Sequence, residues 1–207
     1  MIEKYEDMNR LAMDALKEIG SIGTGNAATA LSQVLSRKIE MTLPEVKIMG
    51  YNRAIKELGG AETPVAGVLV QLSGEVNGIM LFLLNMEFIK VILRSSIGKE
   101  IEDFSELGEL EMSALIEIGN IIISSYINAI STLTGITINL SVPGFSISML
   151  GAILSVPMIE YGYETDKLMT IGGSFICEGE EVYSNLILLP DIASLNFLMQ
   201  KLGVAHD

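Results

Sequence analysis

Two short rows of polar residues at helical spacing hold the chemistry this sequence has to offer. Ser113, Glu117 and Asn120 are separated by four and then three residues, so they share one face of a helix, extended by Ser124 and Asn128. Their neighbours are Ala114, Leu115, Ile116, Ile118, Ile121, Ile122 and Ile123. A narrow polar stripe therefore crosses an otherwise apolar helix, which can bury most of its circumference and still present that stripe. Asp14, Glu18 and Ser21 repeat the spacing beside Leu11, Ala15, Ile19 and Ile22. An asparagine amide accepts a hydrogen bond through oxygen and donates through nitrogen, so it can hold a nucleophilic water without being a strong base. Either row alone would read as the solvent side of an amphipathic helix; its recurrence in register argues for more.

Other chemistries fit less well. Glu18 and Glu117 could be an acid and base pair for glycoside hydrolysis, but the chain has no tryptophan to stack sugars, and each glutamate has its own local companions. A nucleophilic triad lacks its base, because the sole histidine, His206, is next to last. Gly20, Gly23 and Gly25 read G-x-x-G-x-G, which is not the dinucleotide order; no strand precedes them, and the phosphate-loop lysine is missing. The single cysteine, Cys177, reads as a small buried apolar residue, and with one histidine no zinc ligand set can be assembled. No metal site and no bound cofactor are expected in this chain. A net charge of −13, from 13 basic and 26 acidic residues, repels polyanions and argues against nucleic acid as a partner.

The elements that carry these rows come in two copies. DALKEIGSIGTG, from Asp14, aligns with SALIEIGNIIIS, from Ser113, an offset of 99 residues that also relates Glu18 to Glu117, Gly20 to Gly119, Ser21 to Asn120 and Pro44 to Pro143. The first half predicts a helix over about 9–36, strands near 46–51, 65–72 and 78–84, and a helix over about 86–97. The second predicts a helix over about 104–133, strands near 145–150, 152–159, 168–177 and 181–189, and a closing helix after Pro190. SGEVNG and CEGEE read as tight turns between apolar runs, hence hairpins. The expected fold is α+β, a pseudo-two-fold duplication of helix and antiparallel-sheet units with the two long helices on one face of the strands. We expect residues 1–207 to form a single domain of two repeats, about 9–98 and 104–203.

Gly20, Gly23 and Gly25, in or beside a helix, should each cost about 1 kcal/mol relative to alanine. Either close packing compensates, or a low surface lets another backbone approach Glu18. Hydrophobic residues make up 49% of the chain, enough for a sizeable core. Apolar runs such as Ile79 to Leu84 end well before the roughly 18 residues of a membrane span. The charged start, MIEKYEDMNR, is not a secretory signal, so no membrane span and a cytoplasmic location are expected. The acidic residues flanking the helices, Glu57 and Glu111 among them, read as solvated surface.

Asp or Ser, three residues, Glu, two residues, Asn, then 22 residues and Pro resembles the signature of the CheC, CheX and FliY phosphatase family. Ser113, Glu117, Asn120 and Pro143 match it in full; Asp14, Glu18, Ser21 and Pro44 match it with one departure. The duplicated halves are most similar to CheC; CheX is shorter, and FliY carries an added flagellar-switch region for which this chain has no room. The resemblance implies dephosphorylation of the phospho-aspartate of a CheY-like response regulator, whose own acidic pocket holds Mg²⁺. It further implies that Glu117 anchors the receiver through the latter's lysine and that Asn120 orients the attacking water. Ser21, with a shorter side chain, implies a weak or silent first site where Glu18 still helps docking. Asp14 and Ser113 are supporting positions, and Pro44 and Pro143 set the exit toward the sheet. The rival is a non-catalytic adaptor that sequesters the phosphorylated receiver or regulates the receptor deamidase CheD, a candidate partner. A structural flagellar-switch component is disfavoured for want of the appended region.

Overall fold

Asn9 opens the first long helix by accepting a hydrogen bond from the Ala12 amide at 2.8 Å, and Ser36, in the left-handed region at φ 52°, closes it. The computed structural model describes residues 5, 8–161 and 167–204; His206 lies outside them. The chain runs α1 (Arg10–Leu35), β1 (Ile39–Met41), β2 (Glu45–Gly50), α2 (Tyr51–Glu57), β3 (Pro64–Gly74), β4 (Gly78–Leu84) and α3 (Met86–Ile97). After a short 3-10 turn at Phe104–Glu106 the same order returns as α4 (Glu109–Thr134), β5 (Ile138–Leu140), β6 (Gly144–Met149), α5 (Leu150–Tyr161), β7 (Lys167–Cys177), β8 (Glu180–Pro190) and α6 (Ile192–Lys201). From α1 to the start of α2 every boundary recurs 99 residues later.

All eight described strands join one antiparallel sheet, with order β1-β7-β8-β4-β3-β5. The two halves interleave. β1 and β2 of the first half pair with β7 of the second, and β5 and β6 of the second pair with β3 of the first. The join is β4 against β8, where Phe82 faces Leu186. β4 reads GIMLFLL and is buried along its whole length, as expected of a central strand covered on both faces.

Directly paired residues point to the same side of a sheet, and consecutive ones to opposite sides. Val46, Ile171, Leu186, Phe82, Val68 and Phe145 therefore form one row across the sheet. Both long helices lie on that side: a Cβ on Gly20 of α1 would meet Val46 at 3.5 Å and Ile171 at 3.8 Å, and one on Gly119 of α4 would meet Val68 at 2.7 Å. The neighbouring Gly67 faces Ile153 of α5 at 3.3 Å, so α5 covers the opposite side. The expectation of a duplicated α+β fold with both long helices on one face is borne out.

The strand expected at 152–159 is instead part of helix α5. Leu150, Ile153 and Leu154 are buried at helical spacing, while Val156 and Ile159 are exposed; those exposed apolar residues obscured the period. The helix starts through tertiary partners, Leu150 N–H donating to the Thr63 carbonyl and Gly151 N–H to that of Ala61. Helix α2 and the short strands β1 and β5 are further elements that the sequence pattern does not predict.

Helix α4 is long and apolar enough to cross a membrane by composition. In the fold, its Leu115, Ile118, Ile122, Ile123, Ile127 and Ile130 are buried in the core, which accounts for its hydropathy. Glu111 departs from the expected solvated surface: it is 6% exposed. One carboxylate oxygen accepts from Lys99 Nζ at 2.7 Å and the other from the Gly108 amide at 2.8 Å, which clamps the start of α4. The Lys99 ammonium, followed by backbone N–H donors, holds this carboxyl below the usual range.

Candidate functional site

Why α4 exposes one stripe follows from its contacts on the other sides. Leu115, Ile118, Gly119, Ile122 and Tyr126 are buried, which leaves Ser113 and Glu117 exposed and Asn120 and Ser124 half-buried. Glu117 and Asn120, three residues apart, stand one turn from each other on this outward face. Neither side chain has a hydrogen bond or ion pair with another described residue, so the carboxylate and the amide are both available. Pro143 sits between β5 and β6, the strands beside which α4 passes.

Helix α1 repeats the arrangement. Asp14 and Glu18 are exposed and Ser21 is half-buried. Asp14 is engaged locally, with Lys17 at 3.3 Å and Arg10 at 3.8 Å, whereas Glu18 and Ser21 have no side-chain partner among the described residues. Pro44 lies against the helix, its Cγ 3.1 Å from where a Cβ on Gly20 would stand. The motif proline thus packs beside the residue that precedes Ser21, a neighbourhood that spacing alone did not give.

The glycines divide between the two explanations offered for them. Gly20 and Gly119 are where each helix meets the sheet, and Gly23 makes room for the Tyr126 ring, 2.5 Å from a Cβ there. Tyr126 OH and Thr24 Oγ1, both buried, are 2.7 Å apart, tying α1 to α4. Burial raises the Tyr126 phenol above its usual range, the Thr24 hydrogen bond offsetting part of this. Gly25 meets nothing within 4 Å. It lies on the Glu18 and Ser21 face and leaves that stretch of α1 bare.

These rows lie on outward helix faces, not in clefts. A cavity of about 370 Å³, lined by Gly67, Leu69, Leu81, Phe145, Ile153 and Val156 among others, opens beside α5, and Gly67 and Ile153 belong to the face opposite the long helices. An exposed helix face with an unpaired carboxylate and amide suits a macromolecule that brings its own concave, charged pocket. No group of three or more potential metal ligands occurs among the described residues.

The chain is a duplicated helix-on-sheet protein that presents one polar row on each long helix. It belongs to the CheC-like family, which matches residues 11–48 and 110–147, two segments related by the same offset of 99. The CheY-P phosphatase CheC of Bacillus subtilis is 34% identical over 197 residues, covering 93% of this chain and 94% of that protein. The flagellar motor switch phosphatase FliY of the same organism is 27% identical over 143 residues, 69% of this chain but 37% of FliY. Among solved structures, Thermotoga maritima FliY superposes with a TM-score of 0.74 at 24% identity, covering 97% of this chain and all of that one. A chain of the CheX-CheY-BeF3-Mg²⁺ complex from Borrelia burgdorferi gives 0.52 at 18% identity, covering 82% of this chain and 96% of that one. At these identities the structural likeness speaks for the fold.

Proposed function

We propose that this chain hydrolyses the phospho-aspartate of a CheY-like response regulator, with α4 as its working face. The observation that carries the reading is the unpartnered pair of exposed Glu117 and half-buried Asn120, one helical turn apart, in a chain 34% identical to a CheY-P phosphatase over nearly its whole length. Glu117 anchors the receiver by pairing with its lysine. Asn120 enters the phosphorylated pocket and holds a water in line with the leaving aspartate, accepting from it through Oδ1 while Nδ2 donates within the pocket. Phosphoryl transfer depends chiefly on placement and charge stabilisation, so one amide is sufficient equipment. The Mg²⁺ belongs to the receiver. The two repeats form one working unit, since the edge strands of each complete the sheet of the other.

At the α1 row, Ser21 replaces the amide with a shorter hydroxyl, and we assign that row to docking, with Glu18 as its anchor. CheD is proposed as a further partner and the cytoplasm as the location, both from the family resemblance. The test is phosphate release from a phosphorylated CheY-like receiver with Mg²⁺. Wild type should accelerate it, and Asn120→Ala should lose roughly 10²-fold in rate, as for removal of one preorganised hydrogen-bonding group. Full activity in Asn120→Ala would remove Asn120 from the mechanism. Tight receiver binding without acceleration by wild type would favour the adaptor.

A further inference from the structure

Three pairs of exposed apolar residues obey the same 99-residue offset: Leu11 with Leu110, Leu43 with Val142, and Val34 with Leu133. The first two pairs also match in exposure, 63% and 64% for the leucines, 81% and 89% for Leu43 and Val142. A single exposed leucine needs no explanation. Two positions that stay both apolar and exposed in two otherwise diverged copies do, and packing cannot supply the reason because these side chains pack on little.

Their placement supplies it. Leu110 stands seven residues before Glu117, two turns back on the same face and about 10 Å along the axis. Leu11 has the same relation to Glu18. At the other end, Leu43 directly precedes Pro44, which lies against Gly20 beside Ser21; Val142 directly precedes Pro143 at the matching position. Each polar row therefore has one exposed apolar side chain two turns back on its helix and a second directly before its motif proline; at the first row that proline touches the helix at Gly20, and at the second it lies between β5 and β6, beside which α4 passes. Val34 and Leu133, 13 residues beyond Ser21 and Asn120, are not part of this arrangement.

We propose that Leu110 and Val142 are apolar anchors gripping the receiver surface on either side of its phosphorylated pocket, and that Leu11 and Leu43 make the same grip at the first row. This rests on the phosphatase reading given above and names where its binding affinity arises. The receiver is the occupant because this arrangement is continuous with the Glu117 and Asn120 row that must meet it. An exposed carboxylate and a half-buried amide exchange water hydrogen bonds for protein ones and gain little, whereas burying a leucine or valine side chain contributes more. Most of the affinity then resides in the apolar pair, with Glu117 adding its contact to the receiver lysine and Asn120 supplying the chemistry. The first row has lost the amide and kept the apolar pair, so it binds a receiver without hydrolysing it.

The test compares steady-state kinetics on the phosphorylated receiver for wild type, Leu110→Ser and Val142→Ser. KM should rise about tenfold in each variant while kcat falls less than twofold. An unchanged KM, or a loss confined to kcat, overturns the proposal. Binding is followed separately in the Asn120→Ala background by calorimetry with a receiver activated by beryllofluoride and Mg²⁺. Two receivers per chain are expected, falling to one when Leu11→Ser and Leu43→Ser are added; a stoichiometry unaffected by those changes overturns the first-row assignment. Should wild type release no phosphate, the phosphatase reading fails, and the same titration extended to Leu110→Ser and Val142→Ser still decides the docking surface, because binding needs no turnover. A concentration-dependent dimer of the free chain that Leu110→Ser dissociates would assign the apolar pair to self-association and overturn the proposal.

Discussion

A Cβ on Gly119 would stand 2.7 Å from Val68 Cγ2, so the backbone of α4 rests on β3 at the residue just before Asn120. Gly119→Ala must push the helix off the sheet or displace Val68, at a cost of about 1–3 kcal/mol. It should also move Asn120 and reduce phosphatase activity. Urea denaturation and phosphate release measure the two effects. Gly20→Ala, whose nearest neighbours are Pro44 at 3.1 Å and Val46 at 3.5 Å, should cost less.

Gly25 gives the opposite sign. Its added methyl would enter open space in a helix interior, so Gly25→Ala should stabilise the fold by up to about 1 kcal/mol. A higher urea midpoint at unchanged slope is the expected readout. The glycine is then retained for the bareness of that face, not for the fold.

Restoring the missing amide tests the difference between the rows. Ser21→Asn gives α1 the same Glu and Asn pair that α4 carries, and turnover per chain should rise, to roughly double if the two faces become equivalent. The comparison requires Asn120→Ala with Ser21→Asn in one chain, where all remaining activity would belong to α1.

Glu111 links stability to pH. Its carboxyl titrates below the ordinary range in the folded protein, through Lys99 first and then backbone N–H donors, so the unfolded chain takes up the proton more readily. The stabilisation is therefore present above the unfolded value of about 4.3 and is lost as pH falls through the depressed folded value. Thermal melts of wild type and Glu111→Gln should differ at pH 7 and converge toward pH 3.

The duplication and the polar rows were legible because they depend on local pattern: helical spacing around Glu117 and Asn120, and identity at a fixed offset. Where tertiary partners decided the outcome, pattern misled. α5 begins on carbonyls of Ala61 and Thr63, and its Val156 and Ile159 are exposed, so neither its start nor its period was visible. Glu111 looked like surface because its partner, Lys99, belongs to the preceding connection. The pairing of β1 and β2 with β7 was equally out of reach, since no residue announces which half it will pair with. Leu43 and Val142 could have been found from the offset alone, each standing immediately before a motif proline.

The exchange of strands between halves has a consequence for ancestry. A lone repeat of about a hundred residues would keep β3 paired with β4 but leave the other edge of β3 open and its own β1 and β2 without their partner, and a small sheet with open edges is prone to associate. Two identical copies would satisfy one another in the way the two halves do now, as a symmetric homodimer with two equal faces. Within one chain that equivalence is lifted, because a change on α1 need not appear on α4. Serine at position 21 beside asparagine at position 120 is a difference that a homodimer of identical copies could not carry.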